Sequence, residues 1–177
     1  MKNHVVNRFS SVYNPKPVNH ESLISILMEI KSDKYKSTYD KCVNAQSKVE
    51  LENFKNTLPL FTPTGIFNHR SMNGIKEYNG IICLDIDGID NPNELKEKCK
   101  SIDWVNAVFI TPSGKGLKVI IQTNATPETY KETELKVAQK FAELTGFARD
   151  SHCHDIARIQ FLSYDPDIYI NENAKIF

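Results

Sequence analysis

The chain has 177 residues, 40% apolar, 25% charged and 10% aromatic, with Lys+Arg and Asp+Glu balanced at 22 each. That composition suits one globular domain and excludes collagenous, low-complexity and disulfide-framework chains. No apolar run approaches the roughly 18 residues that a membrane-spanning helix needs, and the start MKNHVVNRFSSVYNPKP has no apolar signal-peptide core.

A cytoplasmic, reduced protein without membrane association is therefore the expectation. Cys42, Cys83, Cys99 and Cys153 form no CxxC pair, so no structural zinc is expected. Balanced charge announces no basic field. It does not exclude a nucleic-acid ligand, because clustered carboxylates offset a basic groove.

In chain order, residues 1–20 are polar, carry Pro15 and Pro17, and read as an extended lead-in. ESLISILMEIK (21–31) sets Leu23, Ile26, Leu27 and Ile30 at helical spacing. Residues 33–57 read as partly helical, up to Leu58-Pro59, and FTPTGIF (61–67) as a short strand broken by Pro63 and Gly65. GIICLDID (80–87) is an apolar strand ending in acids, and NPNELKEKCKSI (91–102) a helix with Asn91 as cap and Pro92 in its first turn. NAVFIT (106–111) and LKVIIQT (117–123) are strands joined by the turn PSGKG. Residues 126–146 predict a helix capped by Thr126, with Pro127 at N1 and Gly146 at its end, and ARIQFLS (157–163) a closing strand. The order βαββαβ predicts an α+β fold, an RRM-like or ferredoxin-like palm at 76–172 carrying a partly helical N-terminal extension, 1–75. In that topology the first strand is central, flanked by the third and fourth.

Asp85 and Asp87 are two residues apart on a strand, so their carboxylates share a face while Leu84 and Ile86 take the other. Two such acids repel unless a cation lies between them, and hard oxygen ligands suit Mg²⁺ or Mn²⁺. The plainer reading is a polar strand end running into a turn, with Asp90 capping the next helix. In SGKG, Gly114 and Gly116 let backbone amides converge on an anion, and Ser113, Lys115 and Lys118 add donors and charge. Taken alone, that turn reads as a plain hairpin. ARDSHCHDIARIQF (148–161) adds Asp150, Asp155 and Arg158. If Asp85 and Asp87 hold a metal, one of these acids is a candidate to complete its site, and Arg158 either grips a phosphate or pairs with Asp155. His152-Cys153-His154 matches the His-hydrophobe-His of rolling-circle nucleases, but Tyr164 and Tyr169 flank Pro166 in an extended segment rather than on the helix which that mechanism needs.

Together, hhhDhD on the first strand, SGxGxK across the hairpin and D-x7-R before the last strand resemble the archaeo-eukaryotic primase superfamily, most closely its primase-like VirE N-terminal branch from mobile elements and phages. The resemblance spans roughly residues 50–172 and includes KNTLPLFTPTGIF and RIQFLSYDPDIYIN. It implies that Asp85, Asp87 and Asp150 bind Mg²⁺ or Mn²⁺ in a two-metal site. It implies that Ser113, Lys115, Lys118 and Arg158 contact nucleotide phosphates. Lys118 stands where the superfamily usually has His, and a lysine binds phosphate as a point charge without sharing a proton near neutral pH. The implied function is primer synthesis on a single-stranded template from nucleoside triphosphates, with a helicase partner acting in trans. The alternatives are a catalytically idle nucleic-acid-binding module and a metal-dependent nuclease using the same acids.

Overall fold

The computed structural model describes residues 4–151 and 155–177; His152, Cys153 and His154, singled out above by their spacing, lie outside the described residues. In chain order the elements are β1 (Val5–Phe9), β2 (Asn19–Ser22), α1 (Leu23–Lys31), α2 (Lys36–Val43), α3 (Lys48–Lys55), β3 (Leu60–Thr62), β4 (Gly65–Phe67), β5 (Ile75–Tyr78), β6 (Ile81–Asp87), α4 (Pro92–Lys100), β7 (Ala107–Ile110), β8 (Gly116–Gln122), α5 (Tyr130–Thr145), β9 (Gln160–Phe161) and β10 (Tyr169–Ile170). The fold is α+β with antiparallel sheets. Among the described residues no helix is long and apolar enough to cross a membrane.

Strand alternation decides the layers. Ile82, Leu84 and Ile86 of β6 join Val108, Leu117, Val119 and Ile121 on one face, against Leu95 and Cys99 of α4 and Val137 and Phe141 of α5. Ile81, Cys83, Ala107, Phe109 and Ile120 take the other face, under Leu23, Ile26, Leu27 and Ile30 of α1 together with Val6 and Phe61. The strands of this sheet are thus covered on both faces, which is why GIICL is a continuous apolar run. Each of the four α1 side chains contributes roughly 1.5–3 kcal/mol by leaving water, so the N-terminal segment supplies half of the sheet's cover. Ser22 caps α1, its hydroxyl accepting from the Ser25 N–H at 3.2 Å. Asn91 caps α4 as expected, accepting from the Glu94 N–H at 3.4 Å.

Two expectations change. The central sheet is ordered β10-β7-β8-β6, so the first palm strand lies at an edge rather than in the middle. Of the expected closing strand 157–163, only Gln160 and Phe161 are extended, and they pair with Phe61 and Leu60 of β3 in a second sheet, β2-β1-β3-β9. The cause is a turn. Asp155 Oδ1 accepts from the Ala157 N–H at 3.0 Å and the Arg158 N–H donates to the Asp155 carbonyl at 3.1 Å, which carries the chain away from β6. Leu162 and Ile168 then join the α1-side core. The second change concerns α5, which opens at Tyr130 rather than near Thr126. The Thr129 hydroxyl accepts from the Thr126 N–H at 2.8 Å and the Thr129 N–H donates to the Thr126 carbonyl at 3.1 Å. These local bonds form a turn in place of a first helical turn. Gly146 ends α5 in the left-handed region, at φ +80°, as its sequence position predicts.

Candidate functional site

β6 delivers Asp85 and Asp87 to the face that carries Ile81 and Cys83, while Leu84 and Ile86 face α4 and α5. α1 covers the start of that face. Toward the C-terminal end of β6 the cover stops, and a cleft of about 390 Å³ opens over Asp85, Asp87, Lys118, Ser113, Asp150 and Arg158. Six of the seven residues that the sequence nominates line it. The seventh, Lys115, is exposed on the hairpin and lies outside the lining.

Full pairing of β6 with β8 sets Asp85 opposite Lys118 and Asp87 opposite Gly116. The Lys118 ammonium forms an ion pair with Asp85 Oδ2. Both residues are buried, Asp85 6% and Lys118 8% exposed. The other oxygen, Asp85 Oδ1, is buried with no hydrogen-bond partner. Asp87 reaches solvent, yet partial desolvation first, then the charges of Asp85 and Asp150, push its carboxyl up against the pull of Lys118 and Lys55. Beneath them, burial pushes the Cys83 thiol up to about 12, which leaves it an unreactive core residue.

Asp150 arrives by a route that the strand pattern does not predict. Its backbone N–H donates to the Asp85 carbonyl at 2.8 Å, which holds it beside the open edge of β6 without strand pairing. The donor chemistry fits a hard divalent cation: one buried carboxylate oxygen lacks a partner, and a neighbouring carboxylate is crowded by like charge. Among the described residues no three His, Cys, Asp or Glu side chains are grouped tightly enough to hold a metal ion. Lys118 supplies the counter-charge instead.

The hairpin is tightly made. The Gly114 N–H donates to the Thr111 carbonyl at 2.9 Å, and Gly114 sits at φ +70°. Ser113 Oγ lies 3.1 Å from Thr111 Oγ1 and accepts from the Lys115 N–H at 3.3 Å. A Cβ on Gly116 would lie 2.7 Å from the Ile86 carbonyl oxygen and 2.8 Å from Asp87 Oδ1. Only glycine lets the Asp87 carboxylate lie over β8. Arg158 is exposed at the rim, and Asp155, the competing acid, lines an adjoining cleft and caps its own turn.

Residue patterning misses the opposite wall. Leu51 and Lys55 of α3 and Gln160 and Phe161 of β9 line the cleft, and the Lys55 ammonium sits 5.3 Å from the centre of the Phe161 ring. α2 packs on the hairpin itself, since a Cβ at Gly114 would meet Val43 at 3.0 Å and the Tyr39 hydroxyl at 3.4 Å. Nothing local in residues 36–55 signals that these helices fold over a site built some 30–100 residues later in the chain.

No curated protein matches this chain. Among solved structures, the AEP domain of the cyanophage S-2L primase-polymerase is similar, at 13% identity and a TM-score of 0.46 over 74% of this chain and 72% of that one. The model of the BT4734-like, N-terminal domain family matches residues 53–170. That span runs from the end of α3 to β10 and holds every lining residue of the cleft except Leu51; the chain belongs to the BT4734-like N-terminal domain family.

Proposed function

We propose that the cleft is the nucleotide site of a primase-like nucleotidyltransferase that synthesises a primer on a single-stranded template in mobile-element or phage replication. The observation that carries this reading is the convergence of Asp85, Asp87 and Asp150 with Ser113 and Lys118 in one cleft. Carboxylates alone repel a triphosphate. Carboxylates facing a hydroxyl, a lysine and an arginine form a site for phosphate held through a cation. Asp85 and Asp87 would hold Mg²⁺ or Mn²⁺, with Asp150 as the third carboxylate of a two-metal site. When bound, the cation would neutralise the triphosphate and acidify the attacking 3′-hydroxyl. That oxygen gives up its proton to solvent and forms the new bond to the α-phosphorus, the bond to the β-phosphate oxygen breaks, and pyrophosphate leaves. While the triphosphate is bound, Lys118 would exchange Asp85 for a phosphate oxygen, Ser113 would donate its hydroxyl to another, and Arg158 would close the rim.

A second reading, a catalytically idle nucleic-acid-binding module, is favoured by one feature: Lys118 already neutralises the charge of Asp85 through Oδ2. Incubating the protein with single-stranded DNA, labelled nucleotides and Mn²⁺ or Mg²⁺ separates the two. The first reading expects chelator-sensitive extension that falls at least ~10²-fold in Asp85→Asn, the scale of losing one transition-state electrostatic partner. Template binding without synthesis, indifferent to chelator, establishes the second.

A further inference from the structure

A second cleft, also about 390 Å³, lies on the other side of Arg158 from the first. Its walls are Val12, the segment Arg70–Met72, Asp155 and the segment Ala157–Ile159. Arg158 and Ile159 line both clefts, so the two share a wall. Arg70 is the informative residue. Its backbone N–H is tied to the Pro15 carbonyl at 2.9 Å, which fixes its loop. Its Nη1 is buried with no hydrogen-bond partner. A buried donor without an acceptor is costly to keep, and a guanidinium is the donor best shaped for phosphate oxygens. Asp155, the acid of this cleft, accepts from the Ala157 N–H through Oδ1 and makes no hydrogen bond to Arg70 Nη1. Met72, 65% exposed, sets apolar surface beside the arginine.

We propose that this second cleft binds the phosphate backbone of single-stranded nucleic acid as the strand passes Arg158 into the candidate nucleotide site. The inference rests on the nucleotidyltransferase reading for its direction, but not for its chemistry. A cation beside exposed apolar surface suits alternating phosphate and base better than a lone inorganic anion.

The test is fluorescence anisotropy of labelled oligothymidylate and oligouridylate over a salt series, with wild type, Arg70→Ala and Met72→Glu. Loss of one phosphate contact should lower the log–log salt slope by about 0.7, which weakens binding about eightfold at about 50 mM salt relative to about 1 M. Arg70→Lys should keep most of the slope. Met72→Glu lies on the surface, so its fold should survive, and its negative charge should weaken binding in the same direction. It therefore decides the matter if Arg70→Ala fails to fold. Wild-type affinity and slope in folded Met72→Glu or Arg70→Ala overturns the proposal. So does an Arg70→Ala loss that is equally large for inorganic phosphate or a free nucleotide, since that marks a small-anion site. Oligonucleotide binding that is lost in Arg70→Ala but kept in Asp85→Asn, in a protein that makes no product, upholds this site and sinks the nucleotidyltransferase reading alone.

Discussion

Asp85 and Asp87 share a strand face, but the fold gives them opposite electrostatics. Asp85 is buried against Lys118, whereas Asp87 is left at the mouth with its carboxyl pushed up by desolvation, Asp85 and Asp150. Removing one partner of a buried ion pair strands the other. Lys118→Ala should therefore lower unfolding free energy by about 3 kcal/mol or more in urea titrations. If the acids take a divalent cation, Mn²⁺ should restore part of that loss by replacing the missing positive charge, and it should raise Tm in the wild type as well. For Asp87 the sign runs the other way. A carboxyl with a raised pKa in the folded state binds its proton more tightly there than in the unfolded chain. Its favourable contribution is complete below the ordinary carboxylate pKa and is lost as pH rises through the raised value. Asp87→Asn should consequently be as stable as wild type or slightly more stable at neutral pH, by less than about 1 kcal/mol because the group is exposed, while synthesis is lost. Thermal melts at acidic and neutral pH check it, and a clear destabilisation at neutral pH would contradict it.

Among the elements, the β6–β8 pair does most to shape the site, because its register decides which residue lies across from which acid. Gly116 faces Asp87 at the first residue of β8, where an added methyl would press on the Ile86 carbonyl and the Asp87 carboxylate. Neither neighbour has an easy retreat, since one is backbone and the other is short. Gly116→Ala should cost about 1–3 kcal/mol in denaturant titrations, as overpacked positions do, and should shift the Asp87 resonance. The βαββαβ order made the adjacency of these two strands legible from the chain alone, and local spacing did the same for the Asn91 cap and the Gly146 stop. The register that sets Lys118 across from Asp85 was not legible. Two elements were not legible. The start of α5 was moved by a threonine–threonine turn, a local contest between side-chain and backbone hydrogen bonds that periodicity does not weigh. β9 reads as a longer strand in sequence because Ile159, Phe161 and Leu162 are apolar whichever sheet receives them.

At the scale of the whole molecule, one buried ion pair ties separate parts together. The Lys96 ammonium of α4 meets the two Asp165 oxygens at 2.8 and 2.9 Å, and Asp165 also accepts from the Ile110 N–H at the end of β7, at 3.0 Å. The Asp165 backbone N–H donates to the Ile30 carbonyl at the end of α1, also at 3.0 Å. The SYDP turn thus binds α1, α4 and the strand that leads into the SGKG hairpin. Asp165→Ala should cost about 3–5 kcal/mol because it abandons Lys96 in the core. The double variant Lys96→Met/Asp165→Ala should lose less than Asp165→Ala alone, and urea unfolding of the three proteins tests that ordering.

The sequence by itself determined the local order of helices and strands from residue 80 to 146, the shared face of Asp85 and Asp87, and a set of acidic and basic residues with complementary chemistry. Those properties depend on spacing within one element or one turn, and spacing is what a chain displays. Only the tertiary structure decided which sheet took the last strand, that Lys118 neutralises Asp85, and that α3 brings Leu51 and Lys55 to the cleft. It also decided that Arg70 stands beside Arg158 in a second cleft. Each of these outcomes is a contact between segments far apart in the chain. Such contacts are settled by which apolar faces bury one another, and similar local patterns fit more than one arrangement.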